Sequence, residues 1–192
     1  QERSPLKVST DAILLGVSVQ LPQATIEVLD VGTGSGVIAL LLASRFAKAQ
    51  FTGIDPDEGA FADAQFNFSR AKFAPQLSAL HCALESLPNE KKYDVIVSEP
   101  SNPQRAGVAN LYTQEYYQTV SQRLNEDGVF SQWLQAYEIK LESVHLILAT
   151  LRSVFPQVCI YETIENDLVF VCFKSRKALA VETIRRKLNE YP

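Results

Sequence analysis

Methionine is absent from the 192-residue sequence, tryptophan occurs once and histidine twice. With Gln1 as the first residue, the missing methionine suggests a trimmed or altered chain. Neither His81 nor His145 has a sequence neighbour suited to metal or nucleophilic work, so no metal is expected and His81 reads as a surface or packed residue. The three cysteines, Cys82, Cys159 and Cys172, lie in apolar segments without metal-ligand spacing, which reads as reduced core cysteine of a cytoplasmic protein. Long apolar runs are lacking too. The longest, Val37 to Ala43, falls far short of the roughly 20 residues that span a bilayer, so no membrane partner is expected. An excess of basic charge is also missing: 18 Lys and Arg against 22 Asp and Glu give a net charge of −4. A nucleic acid could then be met only through local basic spots, not through a global footprint. No repeat, low-complexity tract or linker interrupts the chain, and 192 residues suit one α/β domain with a sizeable core.

What is present is a short apolar strand running into alternating glycines and directly out into a helix, Ile26 to Ala43. Asp30 is followed by Gly32, Gly34 and Gly36, giving D-x-G-x-G-x-G. Glycine permits positive φ and lets a ligand approach the backbone. A dinucleotide turn would place its third glycine at position 37, where Val37 stands. The D-x-G-x-G-x-G form resembles motif I of the class I S-adenosylmethionine-dependent methyltransferases. That resemblance implies Asp30, Gly32, Thr33, Gly34 and Gly36 as cofactor residues, with the acid holding the loop and the ligand's amino group. A plain strand-to-helix connection is the alternative.

Before this loop, Ser9-Thr10-Asp11 offers helix caps ahead of an apolar run ending at Pro22. The stretch KVSTDAILLG resembles the segment preceding motif I in small tRNA adenine-N6 methyltransferases, which closes over the cofactor; it implies a substrate-side role for Thr10. A capped helix lying on the sheet is the bland alternative. After the loop, a helix is expected over Val37 to Ala47, a strand over Phe51 to Asp55 and a helix over Glu58 to Lys72. A carboxylate at a strand tip can accept both ribose hydroxyls. The family resemblance implies that role for Asp55, with Pro56 beside it, while Asp57 is better placed to cap the next helix. A third strand, Leu77 to Cys82, ends at Cys82-Ala83, where the family often carries an acid-small pair against adenine. Cysteine in that position removes the side-chain acceptor.

A fourth strand, Tyr93 to Ser98, delivers Glu99-Pro100-Ser101-Asn102-Pro103 to the sheet end where doubly wound folds bind ligands. Adenine-N6 and glutamine methyltransferases carry N-P-P-Y or N-P-P-F here, and this chain does not. From Tyr93 through Phe173, YDVIVSEPSNP and AGVANLYTQEYYQTVSQRLNEDGVFSQW resemble the second half of the spermidine synthases. That register implies Glu99 as the catalytic acid and Asn102 in place of a second acid. An uncharged Asn is a poor match for a polycationic amine. Leu111 to Leu124 reads as one helix, Asn125 to Gly128 as a turn, and Val129 to Leu134 as a fifth strand. Tyr112 is either a pocket wall for an amine or base, or core; Trp133 is either a lid or a packing anchor. A helix over Leu141 to Phe155, then strands Val158 to Tyr161 and Leu168 to Phe173 joined through Glu165-Asn166-Asp167, complete the sheet. The last stretch, Lys177 to Tyr191, reads as a solvated helix whose basic side is the alternative contact for nucleic acid or a partner.

The expected fold is therefore an α/β, Rossmann-like methyltransferase fold with a mainly parallel seven-stranded sheet, an antiparallel edge strand and helices on both faces. We expect one domain over 1-192: an N-terminal segment 1-24, a core 25-175 and a C-terminal helix 176-192. The resemblance implies a transferase using S-adenosylmethionine, with a small-molecule amine or nucleobase as acceptor and methyl transfer to nitrogen as the first reading. An aminopropyltransferase using decarboxylated S-adenosylmethionine and a non-catalytic nucleoside-binding module are the alternatives, and a homodimer stays open.

Overall fold

The structure is a computed structural model that describes residues 26–88, 90–100, 103, 107–136, 139–162 and 167–176. Lys7 to Gly16, with Thr10, and the C-terminal stretch from Lys177 lie outside the described residues, as do Ser101 and Asn102. Seven strands form one sheet: β1 (Glu27–Val31), β2 (Gln50–Asp55), β3 (Leu77–His81), β4 (Tyr93–Ser98), β5 (Leu124–Leu134), β6 (Gln157–Glu162) and β7 (Leu168–Phe173). Their order is β3-β2-β1-β4-β5-β7-β6. The first five strands pair in parallel, and β7 runs antiparallel to both β5 and β6. The reversed strand is thus inserted beside the edge, and β6 takes the outermost place.

Four helices cover the sheet among the described residues: α1 (Val37–Arg45), α2 (Glu58–Arg70), α3 (Gln114–Arg123) and α4 (Leu141–Val154). Period-two alternation sends neighbouring strand residues to opposite layers. Leu29, Val31, Ile54, Ile96, Phe130 and Phe170 join one core cluster with Tyr117 and Leu151 of α3 and α4. Val28, Phe51, Val97 and Trp133 join the other, with Leu42 and Phe68 of α1 and α2. Trp133 is buried, and its indole N–H donates to Asp167 Oδ2 at 3.3 Å, so it is a packing anchor. Asp167 in turn accepts from the Ala136 amide at 2.9 Å.

The expected Leu111 to Leu124 helix is divided. A 3-10 turn covers Val108–Tyr112, and Thr113, with extended backbone, starts α3 afresh by accepting from the Tyr116 amide at 3.2 Å. A hydroxyl that caps a helix favours a new start over continuation. The Asn125 to Gly128 turn sits inside a longer strand: Tyr93 pairs with Leu124 but Val95 with Val129, so the extra residues bulge. Asn125 Nδ2 fastens the bulge by donating to Asp94 Oδ1 at 2.7 Å.

Arg123 closes α3 with a buried guanidinium that donates to the main-chain carbonyls of Leu87 and Pro88, the former at 2.6 Å. This fork ties the β3 to β4 connection to α3. The single ammonium of Arg123→Lys cannot match two donors in fixed geometry. The variant is expected to lose about 1–3 kcal/mol of stability, from a buried carbonyl left without its donor, as read by urea unfolding.

Candidate functional site at the carboxyl edge of the sheet

The strand order turns around between β1 and β4, so the chain leaves these two neighbours in opposite directions and opens a crevice at their carboxyl ends. Val31 is the register partner of Ser98 and also of Ile54. The loop after β1 therefore starts between Asp55 on one side and Glu99 on the other. Farther out, Asp55 pairs with His81, which puts Cys82 and Ala83 beyond it, and Ser98 pairs with Gln132 of β5. The end of β3 lies three strand spacings from β4, about 14 Å, a span suited to a nucleoside with a short side arm.

The β1 to α1 loop has φ of 73°, 56° and 82° at Gly32, Gly34 and Gly36. L-residues rarely take this region, so the loop's path depends on glycine. At Gly36 a Cβ would also stand 2.3 Å from the buried Phe68 ring, whereas at Gly32 it would meet nothing within 4 Å. One glycine is needed for packing beneath the loop; the other borders open space. The Gly32 and Thr33 amides both donate to the Ile54 carbonyl, at 2.9 and 3.0 Å. The Gly34 amide donates to Asp55 Oδ2 at 3.0 Å, and the Asp57 amide to Asp55 Oδ1 at 3.0 Å. Asp55 thus braces two loops while each oxygen keeps a second lone pair. Asp57 caps α2 by accepting from the Ala60 amide at 2.8 Å.

Asp30 is buried beneath this loop. Its Oδ2 accepts from the Thr33 hydroxyl at 2.8 Å, and its Oδ1 has no hydrogen-bond partner among the described residues. Burial pushes its carboxyl up to about 6; the Thr33 hydroxyl and Ala39 amide pull the other way, and the Asp55 charge adds to the rise. A buried acceptor with spare capacity fits a cationic donor, and the open space at Gly32 fits a ligand lying on the backbone.

Cys82 is half-buried against the core cluster that contains Leu84, and burial raises its thiol. A neutral thiol is a weak donor and offers none of the acceptor capacity of an acid at this place. Pro56 is exposed, and its carbonyl lies 3.0 Å from His81 Nε2. His81 also stacks on Phe61, with ring centroids 5.4 Å apart, so it is a packed surface histidine. Among the described residues, no group of three or more His, Cys, Asp and Glu side chains could hold a metal ion.

On the other side of the loop, Glu99 is half-buried immediately after β4. Tyr112 is buried in the core; its hydroxyl lies 3.5 Å from the Trp133 carbonyl and is held protonated by burial. A groove of about 550 Å³ opens next to Pro103, walled by Tyr112, Thr113 and Glu115 on one side and by Ser143, Ile147 and Thr150 on the other. Asp30, the glycine loop, Asp55, Cys82 and Glu99 thus lie at one edge of the sheet. Sequence reasoning missed Asn67, whose Nδ2 donates to the Ser35 carbonyl at 2.9 Å and braces the glycine loop from α2. It also missed Ser98 and Gln132, which look like ordinary polar residues in apolar strands.

A methyltransferase domain family profile matches residues 28–128, more than half of the chain. Curated relatives include the tRNA1(Val) (adenine(37)-N6)-methyltransferases of Pedobacter heparinus, 38% identical over 137 residues, and Glaesserella parasuis serovar 5, 42% identical over 95 residues. The matches cover 65% and 50% of this chain, and the chain spans 58% and 40% of those relatives. Among solved structures, human methyltransferase-like protein 13 in complex with SAH superposes with a TM-score of 0.70 at 19% identity, over 91% of this chain and 86% of that one. The T. thermophilus 16S rRNA N2 methyltransferase in complex with AdoMet and guanosine gives 0.66 at 25% identity, over 90% and 45%. A probable spermidine synthase from Corynebacterium glutamicum gives 0.69 at 15% identity, over 93% and 67%, a likeness of fold alone. Profile, relatives and sheet order agree: the chain belongs to the methyltransferase domain family and has the Rossmann-like class I methyltransferase fold.

Proposed function

We propose that this chain transfers a methyl group from S-adenosylmethionine to an exocyclic nitrogen of a nucleobase in RNA. The observation that carries the reading is the 38% identity, over 137 residues, with a relative named as a tRNA adenine-N6 methyltransferase. The solved N2 methyltransferase holding AdoMet and guanosine supports a nucleobase amine as acceptor. The aminopropyl alternative has in its favour the resemblance of Tyr93 to Phe173 and a fold-level likeness to the spermidine synthase, against named methyltransferase relatives for the first reading.

S-adenosylmethionine would supply an electrophilic methyl group on a sulfonium. The chain's own residues do the rest. Gly32 and Gly34 leave room for the ligand's side arm on the backbone, and Asp30 Oδ1 accepts from its ammonium. Asp55 takes the two ribose hydroxyls on its remaining lone pairs. Pro56, Cys82 and Ala83 offer an apolar and main-chain surface to the adenine. Glu99 stands on the acceptor side, where it accepts a hydrogen bond from the attacking amine and takes its proton as the N–C bond forms and the C–S bond breaks. The ends of β1 and β4 lie one strand spacing apart, about 4.8 Å, which supports an approach of the acceptor from the Glu99 side. Tyr112 closes the acceptor side from behind.

Two outcomes test these roles. Glu99→Gln is expected to lower methyl transfer to unmodified tRNA at least a hundredfold while binding of S-adenosylhomocysteine, measured by calorimetry, stays within about threefold; unchanged turnover would remove Glu99 from the reaction. Asp30 carries a sign that can be checked without ligand. Its folded carboxyl titrates near 6, above the 3.8 of an unfolded one. Between these values the folded state binds more protons, so ionising Asp30 costs stability as pH rises through 6. The stability of Asp30→Asn relative to wild type should therefore climb between pH 4 and pH 7, by on the order of 1–3 kcal/mol, in urea unfolding series. A flat difference across that window would contradict the burial argument.

A further inference from the structure

In the layer of the sheet that packs against α3 and α4, Ser98 and Gln132 stand side by side at the carboxyl edge as register partners, each fully buried among apolar side chains. Two polar side chains in such a layer are costly unless hydrogen-bonded. Both are satisfied by consecutive tyrosines of α3. The Tyr116 hydroxyl donates to Ser98 Oγ at 3.2 Å, and the Tyr117 hydroxyl donates to Gln132 Oε1 at 2.8 Å. Gln132 Nε2 then donates to the Leu111 carbonyl at 2.9 Å, reaching the 3-10 turn that carries Tyr112. Adjacent helix positions point about 100° apart, and the two rings meet the sheet by tilting 59° with centroids 5.8 Å apart. Phenylalanine would fill the same volume against Phe130, so volume alone does not account for the hydroxyls.

Their partners do. Ser98 is the residue before Glu99, and Leu111 is the residue before Tyr112. We infer that Tyr116, Tyr117 and Gln132 form a positioning network that holds Glu99, through Ser98, and the Tyr112 turn in fixed relation, so that the acceptor side is set by α3 independently of the cofactor loop. This rests on the methyl-transfer reading of the same site. The cofactor loop has separate supports, since Gly34 is held by Asp55 and Ser35 by Asn67. The groups set by the network are those that orient the acceptor, and misplacement by about 1 Å can cost up to a hundredfold in rate. Tyr116, Tyr117 and Gln132 are positioning residues and touch no reacting atom in this scheme.

The test uses the whole chain, S-adenosylmethionine and unmodified tRNA. Tyr116→Phe is expected to lower kcat about tenfold while the KM for S-adenosylmethionine and the binding of S-adenosylhomocysteine change less than twofold. Amide hydrogen exchange should speed up at least tenfold over 95–100 in Tyr116→Phe, whose hydroxyl holds Ser98, and over 107–113 in Tyr117→Phe, whose hydroxyl holds Gln132, and stay unchanged over Gly32–Gly36 in both. The double variant Ser98→Ala/Tyr116→Phe removes both polar partners, so its Tm should return toward wild type. Its kcat should remain low, because apolar contact restores packing without direction. Recovery of kcat together with Tm, or a Tyr116→Phe kcat within twofold of wild type, would reduce the pair to a structural contact and overturn the inference. If the wild-type chain methylates no tRNA, the methyl-transfer reading fails on its own, and the exchange measurement alone decides: unchanged exchange at 95–100 and 107–113 overturns the network.

Discussion

A loop whose three glycines all sit at positive φ makes one turn bond of its own, from the Gly36 amide to the Thr33 carbonyl at 2.8 Å, and its Gly32, Thr33 and Gly34 amides are held from outside. Here the Ile54 carbonyl takes two of its amides, Asp55 takes a third, and Asn67 supplies a donor to Ser35. The remaining site geometry depends on this arrangement. Asp55 can brace Gly34 only because β1 and β2 are parallel neighbours with Val31 opposite Ile54. The tight passage under Gly36 is possible only because no Cβ meets Phe68. Gly53 is equally constrained, since a Cβ there would stand 2.7 Å from the Thr33 hydroxyl that reaches Asp30. One carboxylate, two glycine contacts and one strand register thus fix the floor of the crevice.

The two sides of the crevice are built by different means. The side proposed for the cofactor is largely backbone, shaped by glycine and fastened by carboxylates at strand tips. The side proposed for the acceptor is side chain on side chain: buried tyrosines of α3 reach polar groups at the ends of β4 and β5. Backbone recognition tolerates little change in sequence, whereas side-chain recognition can be altered without disturbing the sheet. The Glu99 segment, which departs from the N-P-P-Y or N-P-P-F form, lies on the side built from side chains.

Legibility in the sequence follows the same division. Alternating apolar strands, Gly32-Thr33-Gly34-Ser35-Gly36 and the acids at strand tips have local signatures, so β1 to β4 and the turn from β1 into α1 could be read with boundaries accurate to a residue or two. The division of the expected Leu111 helix could not. It turns on whether Thr113 caps or continues a helix, and threonine does either according to its backbone. The merging of Asn125 to Gly128 into β5 depends on pairing with β4 around Asp94, a contact more than thirty residues away. Ser98 and Gln132 carried no signal, because their role appears only when the register sets them together under Tyr116 and Tyr117. Asp167 was read as a turn residue, yet it is buried and holds Trp133.

Charge gives the proposed reaction a further constraint. A sulfonium loses its positive charge as the methyl group leaves, so a bare carboxylate close to the sulfur would favour the reactant over the transition state and raise the barrier. Two of the acids at this edge are managed in ways that limit this effect. Asp55 spends charge on the Gly34 and Asp57 amides, and Asp30 sits deep below the loop with its titration shifted up to about 6. Asp30 then gains most from the ligand's ammonium, which keeps its charge through the reaction, and which binds reactant and product alike. The acid that can discriminate along the reaction coordinate is the one that receives a proton from the acceptor. In the proposed reaction that acid is Glu99, which lies on the far side of the glycine loop from Asp55, where a developing positive charge on nitrogen would take over from the one vanishing on sulfur.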